Sequence, residues 1–198
     1  MARQYKKRVR AEQEEETRVR IVEATVALHQ AIGGVKTSIR AIAERAGVER
    51  ATVYRHFPDE RTLLEACTGH YIAQNPPPNP QTWAEIAEPA RRLDVALHAI
   101  YTYHRQTEAM SARAAIDVPQ IPTLREVLAP MFAYWEQVRA VLACGWSTEE
   151  SSARQITAAI GHACAFQTWF SLVREQGLDD ADAARMMQRM VCCVARQP

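Results

Sequence analysis

The sequence predicts an all-α protein of about nine helices, in which a three-helix unit with a helix-turn-helix precedes a larger helical domain. Three observations carry this prediction. Segments rich in Ala, Glu, Arg and Leu fill most of the 198 residues, and no stretch keeps the apolar–polar alternation typical of a strand. The seven glycines and ten prolines gather at a few breaks, the sharpest at 75–80. Two very short helical segments flank Gly47.

The composition is that of an ordinary folded protein, with 47% hydrophobic and 24% charged residues, which excludes a disordered chain. The N-terminal residues lack the apolar segment of a secretory signal, and the most apolar long stretch, 158–173, is too short and too polar to span a membrane. Five cysteines without C-x-x-C spacing favour reduced thiols over a disulfide framework or a zinc site. We therefore expect a cytoplasmic protein without a metal or a cofactor.

The glycine, proline and capping signals set the predicted elements. Gly33 ends the first helix, Asp59 caps the start of the fourth, and Gly177 and Asp179 separate the last two. The predicted helices are 11–32, 38–45, 49–56, 59–74, 82–107, 109–116, 122–144, 148–176 and 179–196. The predicted domains are a basic arm at 1–10, a helix-turn-helix domain at 11–57, a connecting helix and Pro-rich linker at 58–80, and a larger helical domain at 81–198.

The second and third predicted helices are too short to be stable alone, so each must pack on a neighbour. Ile39 and Ile42 give the second an apolar stripe, and Val53 and Phe57 give the third its buried face. Gly47 stands where the chain turns sharply, a place where a positive φ is often needed. With the first helix, these segments predict a helix-turn-helix.

The solvent side of the third helix carries side chains that suit DNA. Arg50, Ala51 and Tyr54 fall within an arc of roughly 100°, at about 100° per residue. An arginine reads guanine through two bonds, an alanine contacts a thymine methyl, and a tyrosine reaches phosphate or base. The flanking residues that suit phosphate contact are Thr52, Arg55 and His56.

The start of the second helix suits an anion. Thr37 and Ser38 place hydroxyls beside free backbone N–H groups, and Arg40 adds a charge within the first turn. A second helix seated on phosphate and a third in the groove is how a helix-turn-helix docks on DNA. A helical pair inside a larger bundle, with its charges merely solvated, is the alternative.

Charge is distributed unevenly along the chain. Residues 1–56 hold twelve Lys and Arg against seven Asp and Glu, whereas residues 57–198 hold twelve against sixteen, although the total is only +1. A basic first segment agrees with a nucleic-acid partner. The arm at 1–10 would enter the minor groove or raise non-specific affinity, or would be only a solubilising tail. Its basic residues are Arg3, Lys6, Lys7, Arg8 and Arg10.

The pattern Thr37-Ser-Ile-Arg-x-Ile-Ala-Glu-Arg-Ala-Gly-Val48, followed by Thr52-Val-Tyr-x-His-Phe57 and Leu63-Leu64, resembles the DNA-binding domain of TetR-family transcriptional repressors. The resemblance covers about residues 17–66. It implies an all-helical homodimer on a palindromic operator, with a C-terminal domain that binds a small inducer and forms the dimer interface. The implied DNA-contact positions are Ser38, Arg40, Arg50, Ala51, Thr52, Tyr54 and His56.

Two positions depart from the family pattern. Glu49 replaces a small hydroxyl residue at the start of the recognition helix, where a carboxylate either complements the helix dipole or accepts a bond from a cytosine amino group. Glu60 replaces a lysine, and we expect Arg61 to take over its phosphate contact.

The C-terminal part holds all four tryptophans, and a pocket lined by aromatic residues would suit a small apolar or aromatic effector. The expected pocket residues are Tyr101, His104, Trp135, His162, Phe166 and Trp169. The last two helices combine small and apolar residues and predict a four-helix dimer interface. The expected interface residues are Ile156, Ile160, Ala163, Phe170, Met187 and Val191. For both sets, ordinary core packing within one chain is the alternative.

Two other functions stay open at this point. A constitutive DNA-binding repressor would need no effector. A small helical enzyme would use Cys144 or Cys164 with His162, but positions 162 and 164 of a helix diverge by about 200°, which is poor geometry for a thiolate–imidazole pair.

Overall fold

The computed structural model describes residues 2–146 and 149–196, without the side chains of residues 2–4 and 6. Over this part of the chain it is all-α, with eleven α-helices and one π-helical segment, Ser171–Glu175. The α-helices are α1 (Ala2–Ile32), α2 (Ile39–Ala46), α3 (Arg50–His56), α4 (Glu60–Gln74), α5 (Gln81–Ala84), α6 (Pro89–Asp117), α7 (Pro122–Val127), α8 (Ala129–Ala143), α9 (Glu150–Cys164), α10 (Phe166–Phe170) and α11 (Asp180–Ala195).

The first helix is longer than predicted, because the basic arm is helical. Ion pairs one turn apart, Arg8 with Glu12 and Arg10 with Glu14, join the basic and acidic segments along the helix. The side chains of Arg3 and Lys6 lie outside the described residues. The predicted start of the first helix at residue 11 is therefore wrong.

The middle of the chain also divides differently from the prediction. One continuous helix, α6, replaces the two predicted at 82–107 and 109–116. It starts where the Glu88 carboxylate accepts bonds from the N–H groups of Ala90 and Arg91 at 2.9 and 2.6 Å. The predicted helix 122–144 is instead two helices, because Pro130 lacks the N–H that a continuous helix would need there.

The predicted helix 148–176 breaks at Ala165, whose backbone is extended with φ −70° and ψ 140°. Neither glycine nor proline marks this break. Two side chains of α6 bind the carbonyl oxygens at the end of α9: Tyr101 donates to Ala163 O and His104 Nε2 bonds Cys164 O, both at 3.0 Å. Partners far along the chain therefore satisfy this helix end, which no local pattern shows.

The chain forms two compact units. The first comprises Met1–Asn75 and Ala109–Ala129, and the second comprises Pro76–Glu108 and Pro130–Pro198. The grouping differs from the predicted domains, because α4 and residues 109–129 belong with the helix-turn-helix. The core of the first unit packs α1 to α4 around their buried apolar residues, notably Ile21, Val22, Ile42, Val53, Phe57, Leu63 and Leu64.

The core of the second unit centres on the middle of α6. Leu93, Leu97 and Ile100 are fully buried there, against α8, α9, α10 and α11. α9 packs along α11, and Ile156, Ile160, Met187 and Val191 contribute to this core.

No single helix among the described residues is long and apolar enough to cross a membrane; one bent pair, α9 with Phe166–Glu175, reaches the required length and hydropathy together. Within the same residues no group of three His, Cys, Asp or Glu could hold a metal ion. The five cysteines are free thiols: Cys67 and Cys164 are buried, while Cys144 and Cys193 are exposed.

Candidate DNA-binding interface

The turn between α2 and α3 has the geometry that the sequence predicts. Gly47 adopts φ 65° and its N–H bonds back to the last turn of α2. A side chain at this φ is strained, so the turn requires glycine. Val48 N–H also bonds Ala43 O at 3.0 Å, which fixes the direction in which α3 leaves the turn.

One face of α3 is buried and the other is open to solvent. Val53 and Phe57 lie in the core of the first unit, with Phe57 beneath the Arg18 guanidinium at 5.4 Å. Arg50, Ala51 and Tyr54 are exposed, and Tyr54 keeps 49% of its surface accessible. Among the described residues, this face of α3 is therefore the one that remains accessible to a binding partner.

The residues that flank this face differ in how far their side chains are exposed to solvent. Arg55 is exposed, whereas Thr52 and His56 are half-buried. The Nε2 atom of His56 is buried without a hydrogen-bond partner among the described residues. Glu49 precedes α3 with an exposed side chain that makes no capping bond. Phosphate contact is therefore more accessible to Arg55 than to His56.

The start of α2 is an exposed helix N-terminus. Ser38 caps it, accepting a bond from Ala41 N at 3.2 Å, and its own O–H is left to donate outward. Arg40 is exposed in the first turn of α2. The Thr37 hydroxyl instead donates to Gly33 O at 2.7 Å, so it stabilises the preceding turn.

Arg61 already has partners within the first unit. Its guanidinium binds the carboxylate of Glu126 and lies 3.6 Å from that of Glu65. The hydrogen bond to Glu126 raises the pKa of Arg61. A phosphate contact at this position would have to compete with both carboxylates.

Comparisons with known proteins identify the family of the DNA-binding domain. A family model described as bacterial regulatory proteins, tetR family, matches residues 21–67. The matched segment begins at Ile21 in α1 and ends at Cys67 in α4. The helix-turn-helix domain of this chain belongs to the TetR family. The matched segment contains the whole helix-turn-helix, so the chain carries, at its N-terminal side, the type of DNA-binding domain found in these regulators.

One curated relative is the transcriptional repressor KstR of Mycobacterium tuberculosis, 30% identical over 125 residues, which cover 58% of this chain and 57% of the relative. The match thus spans less than two thirds of that protein. Among solved structures, a TetR-like regulator from Rhodococcus sp. RHA1 gives a TM-score of 0.64 at 16% identity, covering 91% of this chain and 97% of that one. NalD of Pseudomonas aeruginosa is described as the secondary repressor of the MexAB-OprM multidrug efflux pump. Its TM-score with this chain is 0.59 at 22% identity, and the match covers 92% of this chain and 97% of NalD.

The DNA-binding domain argues against the enzyme interpretation, and the thiol chemistry agrees. Burial raises the pKa of the Cys164 thiol to about 12, whereas a nucleophilic cysteine needs a lowered pKa. His162, the base that this interpretation required, has an exposed side chain.

Five of the six residues expected to line the effector pocket come together in the second unit. The His104 ring lies 5.6 Å from the rings of Trp135 and Phe166 and 6.0 Å from Trp169. Tyr101 adjoins at 6.2 Å. We call these five residues the aromatic cluster. His162 is exposed instead, near the Thr168 hydroxyl at 3.4 Å.

Most residues expected at the dimer interface lie inside the protomer. Ile156, Ile160, Ala163, Met187 and Val191 are at most 4% exposed and belong to the core of the second unit, and Phe170 packs beside them half-buried. The periodic spacing of these apolar residues predicts that one face of each helix is buried. It does not distinguish burial within the same chain from burial against a second chain. On α11 the exposed methionines and cysteine are Met186, Met190 and Cys193, and the exposed charged residues are Asp182, Arg185 and Arg189.

Sequence reasoning missed Asp117, a buried carboxylate at the last residue of α6. It accepts a hydrogen bond from Gly34 N, in the turn between α1 and α2. A signal was present, because a carboxylate in the last turn of a helix opposes the helix dipole and needs a compensating donor.

The aromatic cluster predicts a pH-dependent stability. Burial lowers the pKa of His104 from 6.5 to about 4, so the imidazole stays neutral in the folded protein while the unfolded chain binds a proton below pH 6.5. The unfolded state then binds more protons between these values, and the free energy of unfolding falls as the pH falls from 6.5 to 4. We expect this group to contribute about 3 kcal/mol of that loss.

Urea unfolding at pH 7.0, 5.5 and 4.5 measures the effect, with His104→Gln as the comparison because an amide cannot titrate in this range. The free energy of unfolding of the variant should depend less on pH than that of the wild type. Equal pH dependence in both proteins would show that His104 titrates normally.

Proposed function

We propose that the chain is a ligand-released repressor that binds a palindromic operator as a homodimer. The observation that carries the proposal is the exposed surface of Arg50, Ala51 and Tyr54, on the second helix of a tetR-type helix-turn-helix. Relatives named as transcriptional repressors favour repression over activation. The direct reader of base edges is α3, and the N-terminus of α2 binds phosphate through Ser38.

The dimer follows from the operator and from an exposed apolar stripe. Two recognition helices must be about 34 Å apart to enter successive major grooves on one face of DNA. Met186, Met190 and Cys193 lie within an arc of roughly 60° on α11, and Met190 is 49% exposed. We assign the dimer contact to this stripe, because the opposite side of α11 is already buried in its own chain.

The effector site is the aromatic cluster. Rings and the neutral imidazole of His104 suit a small apolar or aromatic molecule. The effector would part the packed rings and stabilise a conformation in which α4 has shifted the recognition helices out of register. Operator affinity then falls by linkage, in proportion to the preference of the effector for that conformation.

Selection of genomic DNA fragments by the purified protein, followed by mobility shift, tests the proposal. We expect enrichment of a palindromic sequence, and transcription from a reporter carrying it should fall when the protein is present. Failure to enrich any sequence above non-specific binding would overturn the proposal.

The close packing of the aromatic cluster favours a second candidate, a repressor that needs no effector. Thermal shift measurements with a broad panel of metabolites and drugs separate the two. A compound that raises the melting temperature and releases the selected operator establishes ligand control. Absence of stabilisation by the whole panel counts against the pocket and leaves constitutive repression.

A further inference from the structure

The turn that leads from α1 into α2 is bound by a buried carboxylate. Asp117 is 5% exposed and accepts hydrogen bonds from Gly34 N at 2.5 Å and Val35 N at 3.4 Å. An ionised carboxylate bound by backbone N–H groups is among the stronger hydrogen-bonded contacts. The turn is thus attached to the last residue of α6.

A second side chain of α6 binds the other side of the same turn. The Arg113 guanidinium, one helical turn before Asp117, donates to Ala31 O at 2.9 Å, near the C-terminal end of α1. A cation suits helix-end carbonyls, and an anion suits the N–H groups that follow them. We call these three hydrogen bonds the α6–turn contact.

The turn is shaped to admit the carboxylate. Gly33 has φ 84°, and a Cβ at this position would lie 3.0 Å from Asp117 Oδ2. A Cβ at Gly34 would lie 3.4 Å from the same atom. Positive φ and the close approach of the carboxylate together explain why a glycine stands at position 33.

Hydrogen bonds continue from this turn to the N-terminus of α2. The N–H of Thr37 donates to Gly34 O at 3.0 Å, and its hydroxyl donates to Gly33 O at 2.7 Å. The next residue, Ser38, is the N-cap of α2. The position of the proposed phosphate-binding end of α2 therefore depends on the turn that Asp117 holds.

The same helix carries residues of the aromatic cluster. α6 is continuous from Pro89 to Asp117, and His104 lies 13 residues before Asp117, which corresponds to about 20 Å along the helix axis. The α6–turn contact is therefore made by the helix that also carries His104 and Tyr101.

We infer that Asp117 and Arg113 are positioning residues, through which the C-terminal end of α6 sets the orientation of α2 on the operator. The inference rests on the proposed DNA-binding function. It adds a second way in which the orientation of the helix-turn-helix is controlled, from α6 to the α1–α2 turn, in addition to the shift of α4. The α6–turn contact belongs to the operator-binding form. Its loss lets the turn sample other orientations, and the apparent affinity falls with the fraction of molecules that are competent to bind.

Asp117→Asn is the sharpest test. The amide keeps one oxygen acceptor but points an NH₂ group at a backbone N–H, so one hydrogen bond is lost with little change in volume. The variant also removes a negative charge, which by itself would strengthen DNA binding. Asp94→Asn is the matched control, because Asp94 is an acidic residue of the same helix, 44% exposed, and distant in sequence from the turn.

Dissociation constants are measured for the operator recovered with the wild-type protein and for an unrelated duplex, at one salt concentration. We expect Asp117→Asn to weaken operator binding about tenfold, against the direction of its charge change, and to leave affinity for the unrelated duplex within about twofold of Asp94→Asn. Amide hydrogen exchange at residues 34–41 should become faster. A residue that only stabilises the fold would change the unfolding midpoint without changing the ratio of the two affinities.

The inference is overturned if a folded Asp117→Asn binds the operator with the same affinity as Asp94→Asn. It is also overturned if Asp117→Asn binds the operator more tightly than Asp94→Asn does. If Asp117→Asn does not fold, Arg113→Gln decides, because it removes one hydrogen bond from a half-buried side chain. Its lost positive charge weakens binding to any DNA, so the ratio of the two affinities is compared. A ratio of operator to unrelated-duplex affinity about threefold below that of the wild type supports the inference, and an unchanged ratio refutes it. A wild-type protein that recovers no operator would instead refute the proposed function, before any variant is made.

Discussion

Arg50→Ala is expected to abolish specific operator binding while leaving the fold and non-specific DNA binding in place. Arg50 is exposed at the first turn of α3, so its removal costs no core packing. A bidentate contact from arginine to guanine is worth about 1–3 kcal/mol, and a dimer makes it twice. The expected loss is therefore about 2–6 kcal/mol, or roughly thirtyfold at least.

Tyr54 tests the same surface from the next turn of α3. Tyr54→Ala should also abolish the specific shift, because the side chain is 49% exposed and projects from the face that Arg50 shares. Tyr54→Phe separates the two roles of the tyrosine. Loss of binding in Tyr54→Phe assigns the hydroxyl to phosphate or a base edge, and retention assigns the ring to an apolar contact.

Arg91→Ala is the control for Arg50→Ala, because it removes an exposed arginine from the second unit with the same change of net charge. Mobility shift with the selected operator, and fluorescence anisotropy with an unrelated duplex, give the two affinities. Specific binding that survives both Arg50→Ala and Tyr54→Ala would show that another surface reads the operator.

The helix-turn-helix could be predicted from sequence because its determinants are local. Ser38 caps α2, Gly47 has the positive φ of the turn, and Phe57 follows α3, each within a few residues of the element that it defines. The predicted limits of α2 and α3 are accordingly within one residue of those in the structure. Local sequence patterns of this kind predict the structure correctly because tertiary packing stabilises the same local conformations.

Elements whose determinants lie far along the chain could not be predicted. The end of α9 at Cys164 depends on Tyr101 and His104, about 60 residues earlier, and no break-forming residue marks it. Asp117 binds Gly34 across 83 positions. Such partners become neighbours only in the folded chain, so a pattern read within one helix does not contain them.

The residues expected at the dimer interface could not be assigned from the sequence for a different reason. An apolar period on α9 and α11 shows that one face of each helix is buried, but the same period fits burial by another helix of the chain or by a second chain. Ile160 and Met187 are buried by their own chain. What the structure adds is the exposed part of the same helices, where Met186 and Met190 stand without cover.

Met190→Glu is expected to convert the dimer to a folded monomer and to weaken operator binding at least about a hundredfold. If the methionine stripe of α11 lies on the two-fold axis, the substitution places two carboxylates against each other and buries them without partners. The fold should persist, because Met190 is exposed within its own chain and contributes little to the core. A monomer contacts one half-site only, so it loses the affinity that the second half-site supplies.

Val95→Glu is the matched control, since Val95 is also an exposed apolar residue of the second unit, 41% accessible, on α6 rather than α11. Sedimentation velocity over a range of concentrations gives the oligomeric state, and circular dichroism gives the helical content. A Met190→Glu variant that stays dimeric would place the two-fold contact on another surface. A variant that is monomeric yet binds the operator as the wild type does would contradict recognition by a dimer, because the spacing of two recognition helices would then have no role.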